Sequence, residues 1–310
     1  MYRVKLGESG LEVSSICYGS WQLSPRFWGE QPHDVLMRAM RRAFEVGVNF
    51  YDTADAYGDG LAEKVMGEAL KDLPRDEIVV ATKVFHHFYP DGRRHGDLSK
   101  YYILAECEAQ LKRLRMDYID LYQCHAFDPS TELSETAEAM ETLKRAGKIR
   151  SYGLSNFTVE QVRLARTCGN FTTLQPRYNL IQHEAEEDLL PCARANGMGV
   201  LVYSPLHLGL LTGKYDGTET FSDFRARHES FQGDRFRELA GKVRSLAPIA
   251  AKYNMSIVQL VLTVTLQNPS IDCAIVGVKK PEHIEEAAGV MGRTVSREDY
   301  YAVRRTLGTS

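Results

Sequence analysis

The sequence predicts an α/β protein, a (β/α)8 barrel of the TIM type with an N-terminal β-hairpin, formed as one domain over residues 1–310. Short apolar runs alternate with longer amphipathic segments, which is typical of a parallel sheet covered by helices. Eight such strand–helix units can be counted, or seven if one weak strand is merged with its neighbour. Eight units in a chain of 310 residues favour a closed barrel over an open sheet.

The first predicted element is a hairpin in VKLGESGLEV, whose turn covers residues 7–10. Each barrel strand is predicted from a short apolar run that ends at a polar residue or a glycine. The eight runs are SICYGS (15–20), VNFYD (48–52), EIVVATK (77–83), DYIDLYQCH (117–125), IRSYGLS (149–155), FTTLQ (171–175), GVLVYS (199–204) and DCAIVG (272–277).

The amphipathic segments between these runs predict the helices. The first helix is capped near Asp34 and ended by Gly47, and Gly147 ends the helix that follows the fourth strand. The predicted helices span residues 34–46, 61–70, 100–114, 133–146, 159–167, 186–196, 242–253, 256–267 and 281–289.

Composition and charge favour a soluble globular protein over a nucleic-acid-binding or membrane protein. Hydrophobic residues make up 44% of the chain and charged residues 25%, which is ordinary for a soluble globular protein. The net charge of −3, from 38 basic and 41 acidic residues, indicates neither a nucleic-acid nor an acidic-membrane partner. The apolar run IVQLVLTVTL is too short to span a bilayer, and the N-terminus MYRVKLGESG is too polar for a signal peptide.

Cysteine usage predicts the compartment. No two cysteines form a CxxC pair, and most stand inside apolar runs. This pattern favours free thiols in a reducing compartment over disulfides or a zinc site. We therefore expect a cytoplasmic protein. The cysteines are Cys17, Cys107, Cys124, Cys168, Cys192 and Cys273.

Polar residues at the strand ends point to the functional site, because a barrel of this kind carries its active site at the carboxyl ends of the strands. Neighbouring strands end at Asp52, Lys83 and His125, and Tyr57 follows the first of these on a loop. Alone, each residue is more simply explained as a solvated cap, a packed ring or a hydrogen-bonded core histidine. Their joint placement at consecutive strand ends favours a catalytic set. Further strands end at Ser155, Gln175, Tyr203 and Gly277.

The four residues suit the proton half of a carbonyl reduction. A free tyrosine has a pKa of about 10, and lowering it by about three units requires roughly 4 kcal/mol. One ammonium about 4 Å away supplies roughly that energy at an effective dielectric constant of 20. We therefore expect Lys83 to lower the pKa of Tyr57, Asp52 to hold Lys83, and His125 to orient the carbonyl oxygen. The hydride has to come from a cofactor.

A metal site is not predicted. His86 and His87 are followed by His95, but adjacent histidines in an extended chain point to opposite sides. No carboxylate spacing in the sequence supports a metal site.

Six segments in order, NFYDTADAYG, VVATKV, DYIDLYQCH, YGLSNF, LVYSPLHLGLLTGKY and AIVGVKKPEHIEEAA, resemble the aldo-keto reductase superfamily from Val4 to about Ala288. The subgroup resembled includes bacterial reductases and potassium-channel β-subunits. The resemblance implies a (β/α)8 barrel that binds a nicotinamide dinucleotide, usually NADPH, without a Rossmann fold. It implies that Tyr57 is the general acid and that Asp52, Lys83 and His125 support it.

The resemblance also implies the cofactor contacts, from the nicotinamide through the pyrophosphate to the adenosine. Tyr203 would stack on the nicotinamide, and Lys279, with Lys280, would meet a 2′-phosphate, which favours NADP(H) over NADH. Ala287 stands where the family often has Asn, so one adenine contact is missing. The implied cofactor contacts are Gly19, Ser20, Trp21, Asp52, Ser155, Asn156, Gln175, Tyr203, Ser204, Pro205, Leu206, Gly209, Leu211, Lys214, Gly277, Lys279, His283 and Glu286.

The substrate expected from this chemistry is a small carbonyl compound. Trp21, Trp28, Tyr57 and His125 are its predicted contacts. The entrance of the cavity is expected to be aromatic, formed by Trp21, Phe27, Trp28, Phe85 and Phe88. After the fourth strand, CHAFDP departs from the His-Arg-Pro or His-Trp-Pro that is commoner in the family, so the shape of the substrate stays open.

Three functions are compatible with the sequence. The first is an NADPH-dependent carbonyl reductase. The second is a regulatory subunit that holds NADP(H) and turns over slowly, which the intact set of four residues disfavours. The third is a Schiff-base lyase with Lys83 as nucleophile, which leaves Tyr203 and the SPLHLGLLTGK loop unexplained. The sequence does not predict the oligomeric state.

Overall fold

Eight parallel strands close into a barrel in the computed structural model, which describes residues 2–89 and 91–308. The strands are β1 (Val4–Lys5), β2 (Glu12–Val13), β3 (Ile16–Gly19), β4 (Phe50–Asp52), β5 (Val79–Val84), β6 (His86–Phe88), β7 (Arg94–Gly96), β8 (Ile119–Cys124), β9 (Ile149–Ser155), β10 (Thr173–Gln175), β11 (Gly199–Tyr203) and β12 (Cys273–Gly277). Around the barrel the order is β3, β4, β5, β8, β9, β10, β11 and β12, which pairs again with β3. The prediction of a (β/α)8 barrel with eight units is confirmed.

Helices follow the strands and cover the outside of the barrel. The helices are α1 (Pro25–Trp28), α2 (His33–Glu45), α3 (Leu61–Leu70), α4 (Lys100–Leu114), α5 (Leu133–Arg145), α6 (Val159–Cys168), α7 (Leu189–Ala195), α8 (Gly233–Arg244), α9 (Ala247–Lys252), α10 (Ile257–Leu266), α11 (Pro281–Ala288) and α12 (Arg297–Leu307). Helix α2 shows how they pack: it buries Leu36, Ala39, Met40 and Ala43, which recur at three- and four-residue spacing on one face.

The predicted helix over 242–253 is wrong, because the chain breaks within it. Helix α8 ends at Arg244 and α9 begins at Ala247, with Pro248 in its first turn. Proline has no N–H to donate and is tolerated only at the start of a helix, so one continuous helix cannot pass through this point. Helices α1 and α12 and the strands β6 and β7 were not predicted.

The predicted N-terminal hairpin is confirmed, and it closes the amino end of the barrel. Strands β1 and β2 pair antiparallel, and Gly7 in their turn bridges to Met198. Gly7 has φ +51, and a Cβ at this position would come within 2.1 Å of the Gly199 nitrogen. Only glycine fits so close to the neighbouring backbone. The barrel therefore opens at its carboxyl end.

The six cysteines are free thiols, five of them buried, as the sequence predicted. Within the described residues no single helix is long and apolar enough to cross a bilayer. The helical segments 233–252 and 257–266 together have the required length and composition, but they are bent by 84° relative to each other.

Candidate active site

A cavity of about 870 Å³ opens at the carboxyl ends of the barrel strands. Its volume is within the range of small-molecule and cofactor sites. Most of the residues predicted from the sequence line it. They are Gly19, Ser20, Trp21, Trp28, Asp52, Tyr57, His125, Ser155, Asn156, Gln175, Tyr203, Ser204, Pro205, Leu206, Gly209, Lys214, Gly277, Lys279, His283 and Glu286.

Among the predicted catalytic and cofactor-binding residues, Lys83, Leu211 and Lys280 lie outside the cavity lining. Lys83 is fully buried beneath it, as its expected supporting role requires. Leu211, expected to contact the cofactor, is instead fully buried in an apolar cluster with Leu180, Val243 and Leu260. The side chain of Leu211 therefore anchors its loop to the helices behind it.

A buried ion pair forms the floor of the site. The Nζ of Lys83 lies 2.6 Å from Asp52 Oδ1 and also donates a hydrogen bond to the carbonyl of Thr53 at 2.8 Å. Gln175 donates to the other oxygen of Asp52 at 2.9 Å. Burial opposes the charge on Lys83, but the adjacent Asp52 carboxylate and the Tyr57 hydroxyl raise its pKa above the ordinary value. Lys83 therefore keeps its charge, because the adjacent carboxylate compensates it inside the protein.

Tyr57 lies directly over this pair. Its ring centroid is 5.1 Å from Lys83 Nζ and 6.0 Å from the ring of His125. Burial of the phenol, opposed by Lys83, raises the pKa of Tyr57 to about 12. The expectation of a lowered pKa is therefore wrong for this structure. The Lys83 ammonium alone would lower the pKa of Tyr57, but the cost of burying a phenolate outweighs it.

His125 faces a carboxylate that the sequence analysis missed. Its Nδ1 is buried, has no hydrogen-bond partner in the described part of the chain, and lies 3.8 Å from Asp55 Oδ1. Asp55 is itself buried, and its carboxylate accepts hydrogen bonds from the amides of Ala56, Phe85 and His86 at 2.6 to 3.2 Å. Asp55 thus joins the loop that carries Tyr57 to the end of β5. The only sequence signal was a second aspartate in DTAD.

Four predicted cofactor contacts, Ser155, Asn156, Gln175 and Tyr203, are linked to one another and to the catalytic set. Asn156 donates to the carbonyl of His125 at 2.8 Å, and the hydroxyl of Tyr203 donates to Asn156 Oδ1 at 2.8 Å. Ser155 donates to the carbonyl of Gln175 at 3.0 Å. The ends of strands β8 to β11 therefore hold one another in place through side chains.

The loop after β11 has an unusual backbone. Ser204, His207 and Leu208 have φ of 63, 43 and 58, which are left-handed values that non-glycine residues rarely adopt. Left-handed residues can turn successive amide N–H groups to one side, and such concave arrangements bind phosphate. His207 holds the loop from within: it is buried, Nε2 lies 2.9 Å from Ser230 Oγ, and burial lowers its pKa to about 4.

Aromatic and basic side chains form the outer wall. The rings of Trp21 and Trp28 lie 5.3 Å apart, and both contact Phe224 at 5.3 to 5.4 Å. Lys279 Nζ lies 4.5 Å from the ring centroid of Trp28, and Arg225 lies 5.4 Å from the same ring. Phe224 and Arg225 come from the long loop before α8, where no periodic pattern marked them.

The predicted aromatic entrance is partly formed. Trp21, Phe27 and Trp28 line the cavity, whereas Phe85 and Phe88 are not among the lining residues. His86 and Arg94, from β6 and β7, line the cavity instead. The entrance therefore has an aromatic side and a polar side.

Comparison with known proteins gives a consistent result. The model of the Aldo/keto reductase family matches residues 15–307. The chain is 38% identical to the aldo-keto reductase YhdN of Bacillus subtilis, over 99% of this chain and 94% of that protein. It is 35% identical to a probable voltage-gated potassium channel subunit beta of Oryza sativa, over 91% and 88%. It is 30% identical to the NADH-specific methylglyoxal reductase of Escherichia coli, over 98% of each.

Solved structures agree with the sequence relatives. The glycerol dehydrogenase AKR11B4 from Gluconobacter oxydans superposes with a TM-score of 0.88 at 30% identity, over 98% of this chain and 94% of that one.

Proposed function

The chain belongs to the aldo/keto reductase family, and on that premise we propose that Tyr57 delivers the proton when this nicotinamide-dependent oxidoreductase reduces an aldehyde or ketone. The observation that supports this assignment most strongly is the buried pair of Lys83 and Asp52 beneath the Tyr57 ring. A buried ion pair is costly to form and is weak evidence for stability alone, so its position under a phenol suggests a chemical role.

Tyr57 keeps its proton until the carbonyl is reduced. With its pKa raised to about 12, Tyr57 is protonated at neutral pH. When bound, a nicotinamide dinucleotide would supply the hydride for the carbonyl carbon. As the carbonyl oxygen becomes an alkoxide, which is more basic than a phenolate, Tyr57 passes its proton to that oxygen. The nearby Lys83 ammonium then stabilises the phenolate, by roughly 4 kcal/mol at about 4 Å and an effective dielectric constant of 20.

The residues around the cavity suit a dinucleotide. The loop at 204–214 has a left-handed backbone, and Lys214, Lys279 and His283 line the same cavity. Positive side chains and exposed amides are the groups that bind a diphosphate. We infer that Tyr203 and Asn156 hold the nicotinamide end and that Lys214 and Lys279 hold the phosphates through their charge. Burial lowers the pKa of His283, so this residue would contribute a hydrogen bond rather than a charge.

Asp55 is proposed as a positioning residue for His125. Replacing Asp55 with asparagine keeps an oxygen for the backbone amides but removes the charge that faces His125 Nδ1. We expect kcat to fall about tenfold with the cofactor Kd unchanged, because His125 would orient the carbonyl less well. Steady-state kinetics and calorimetric cofactor titration measure the two quantities. Asp59→Asn, on the exposed part of the same loop, is the matched control, and an equal loss in both variants would contradict the assignment.

NADPH is the proposed reductant, because Lys279, Arg225 and Lys214 place positive charge on one side of the cavity. One relative is named as NADH-specific, so the preference has to be measured. We expect Lys279→Ala to raise the Kd for NADPH about tenfold and that for NADH much less, since only NADPH carries the 2′-phosphate. Lys280→Ala is the control, because Lys280 is exposed and lies 3.9 Å from Glu282. If only Lys280→Ala changes the NADPH/NADH ratio, Lys280 reads the phosphate instead.

A regulatory role is the second candidate, favoured by the likeness to channel β-subunits. A panel of aldehydes and ketones, followed by the loss of reduced-nicotinamide absorbance, separates the two roles. A reductase should turn over at roughly 1 to 10³ per second with at least one substrate. Tight cofactor binding without turnover on any of them would favour the regulatory role. The lyase is disfavoured, since a nucleophilic lysine must be neutral and Asp52 keeps Lys83 charged.

A further inference from the structure

The hairpin formed by β6 and β7 presents two different faces. His86 and Arg94 line the cavity. In a strand, successive side chains point to opposite sides, so His87 and His95 share the other face. They are also directly opposed in the ladder, where His87 pairs with His95. Asp97 follows His95 by two residues and therefore continues on the same face.

These three side chains converge on one point. The Nδ1 of His87 lies 3.1 Å from Asp97 Oδ2, and the Nε2 of His95 lies 3.9 Å from that oxygen. One ligand atom from each residue falls within 4.8 Å of the other two. Ligand atoms around a tetrahedral zinc ion, with bonds of about 2.1 Å, are separated by about 3.4 Å. To bind one ion, the more distant of these atoms would have to approach by up to about 1.4 Å.

Two of the three ligands are already held in orientation. The His87 ring stacks on Tyr89 and Tyr102, with centroids 4.9 and 4.5 Å away and interplanar angles of 6° and 10°, and on the His95 ring at 4.9 Å. The other oxygen of Asp97 accepts a hydrogen bond from the Ser99 amide at 2.9 Å. Such supporting contacts fix ligand geometry and reduce the entropy lost on binding.

We propose that His87, His95 and Asp97 form a binding site for a divalent transition metal, with Zn²⁺ the best match, on the outer face of this hairpin. Imidazole nitrogens with one carboxylate suit Zn²⁺ and disfavour Ca²⁺ and Mg²⁺, which require mostly oxygen ligands. Three protein ligands leave a fourth position for water. The sequence predicts no metal here, since the adjacent His86 and His87 point to opposite sides, and the cross-strand pairing of His87 with His95 is visible only in the structure.

The site would couple to the cavity through the hairpin. A metal bound by His87 and His95 links β6 to β7 on the outer face, so it orders the strands whose inner face carries His86 and Arg94. Backbone amides of residues 86–89 and 91–97 should then exchange with solvent more slowly when Zn²⁺ is bound.

The test uses the full chain without an affinity tag, freed of metal and titrated with ZnCl₂ by calorimetry. We expect one ion per chain with a Kd at or below the micromolar range. His95→Ala should raise that Kd at least tenfold and remove the Zn²⁺-dependent protection of the amides of residues 86–89 and 91–97. The His95 side chain is 46% exposed, so the variant should fold normally, which its Tm without metal would show. His33→Ala, a histidine at the start of α2, should leave the Kd unchanged.

A second variant, at the carboxylate ligand, tests the same site independently of His95. Asp97→Asn retains an oxygen for the Ser99 amide but loses the charge, so it should also weaken Zn²⁺ binding at least tenfold. The wild-type protein with Co²⁺ should show the visible absorption of a four-coordinate site. Absence of saturable binding to the wild type, or an unchanged Kd in both variants, would overturn the proposal.

Discussion

Replacing Tyr57 with phenylalanine is expected to lower kcat for carbonyl reduction at least about 100-fold and to leave the cofactor Kd nearly unchanged. The substitution removes one hydroxyl over the Lys83–Asp52 pair and keeps the ring that packs against the core. Without the hydroxyl no group at that position can protonate the developing alkoxide. Steady-state rates with a reducible aldehyde and calorimetric titration with NADPH measure the two effects separately.

Tyr51→Phe is the matched control for that variant. Tyr51 stands on the neighbouring strand β4, is fully buried, and donates to the carbonyl of Met40 on α2 at 3.1 Å, away from the cavity. Its loss of one hydrogen bond should cost about 1 kcal/mol of stability with kcat unchanged. Equal kcat in Tyr57→Phe and the wild type would refute the proposed acid.

The second large effect is expected from Lys83→Met. This change leaves the buried carboxylate of Asp52 with Gln175 as a hydrogen-bond donor but without its opposing charge. Removing one partner of a buried pair typically lowers the free energy of unfolding by about 3–5 kcal/mol. Reductase activity should fall to background at the same time, because no cation remains to stabilise the phenolate. Denaturant unfolding at neutral pH measures the change in stability.

A double variant separates stability from chemistry. Lys83→Met combined with Asp52→Asn removes both charges, so we expect it to regain most of the lost unfolding free energy while remaining inactive. Recovery of reduction in the double variant would show that the ion pair has no chemical role. Wild-type stability in Lys83→Met alone would show that Asp52 is already compensated by other groups.

The sequence predicted the barrel and most of the site because both follow from strand periodicity. Once the apolar runs are placed, the residue at the end of each run is known, and barrel closure brings these ends together. This is why Asp52, Lys83, His125 and Gln175 could be located correctly. No such rule covers the chain between β11 and α8, which supplies Phe224 and Arg225 to the wall.

Other misses have physical causes that sequence patterns do not contain. Strands β6 and β7 are three residues each and rich in histidine and arginine, so no apolar alternation marked them. The pKa of Tyr57 depends on burial, which is a property of the folded cavity. Leu211 follows a turn that reverses its side chain into the apolar cluster behind the loop.

The tryptophans of the aromatic wall allow ligand binding to be followed by the intrinsic fluorescence of the protein. The chain has two tryptophans, Trp21 and Trp28, and both border the cavity. Indole fluorescence from this protein therefore originates at the site, with no background from distant residues. A reduced dihydronicotinamide absorbs where indole emits, so occupation of the site should quench that fluorescence by energy transfer and allow binding to be followed in real time without a label.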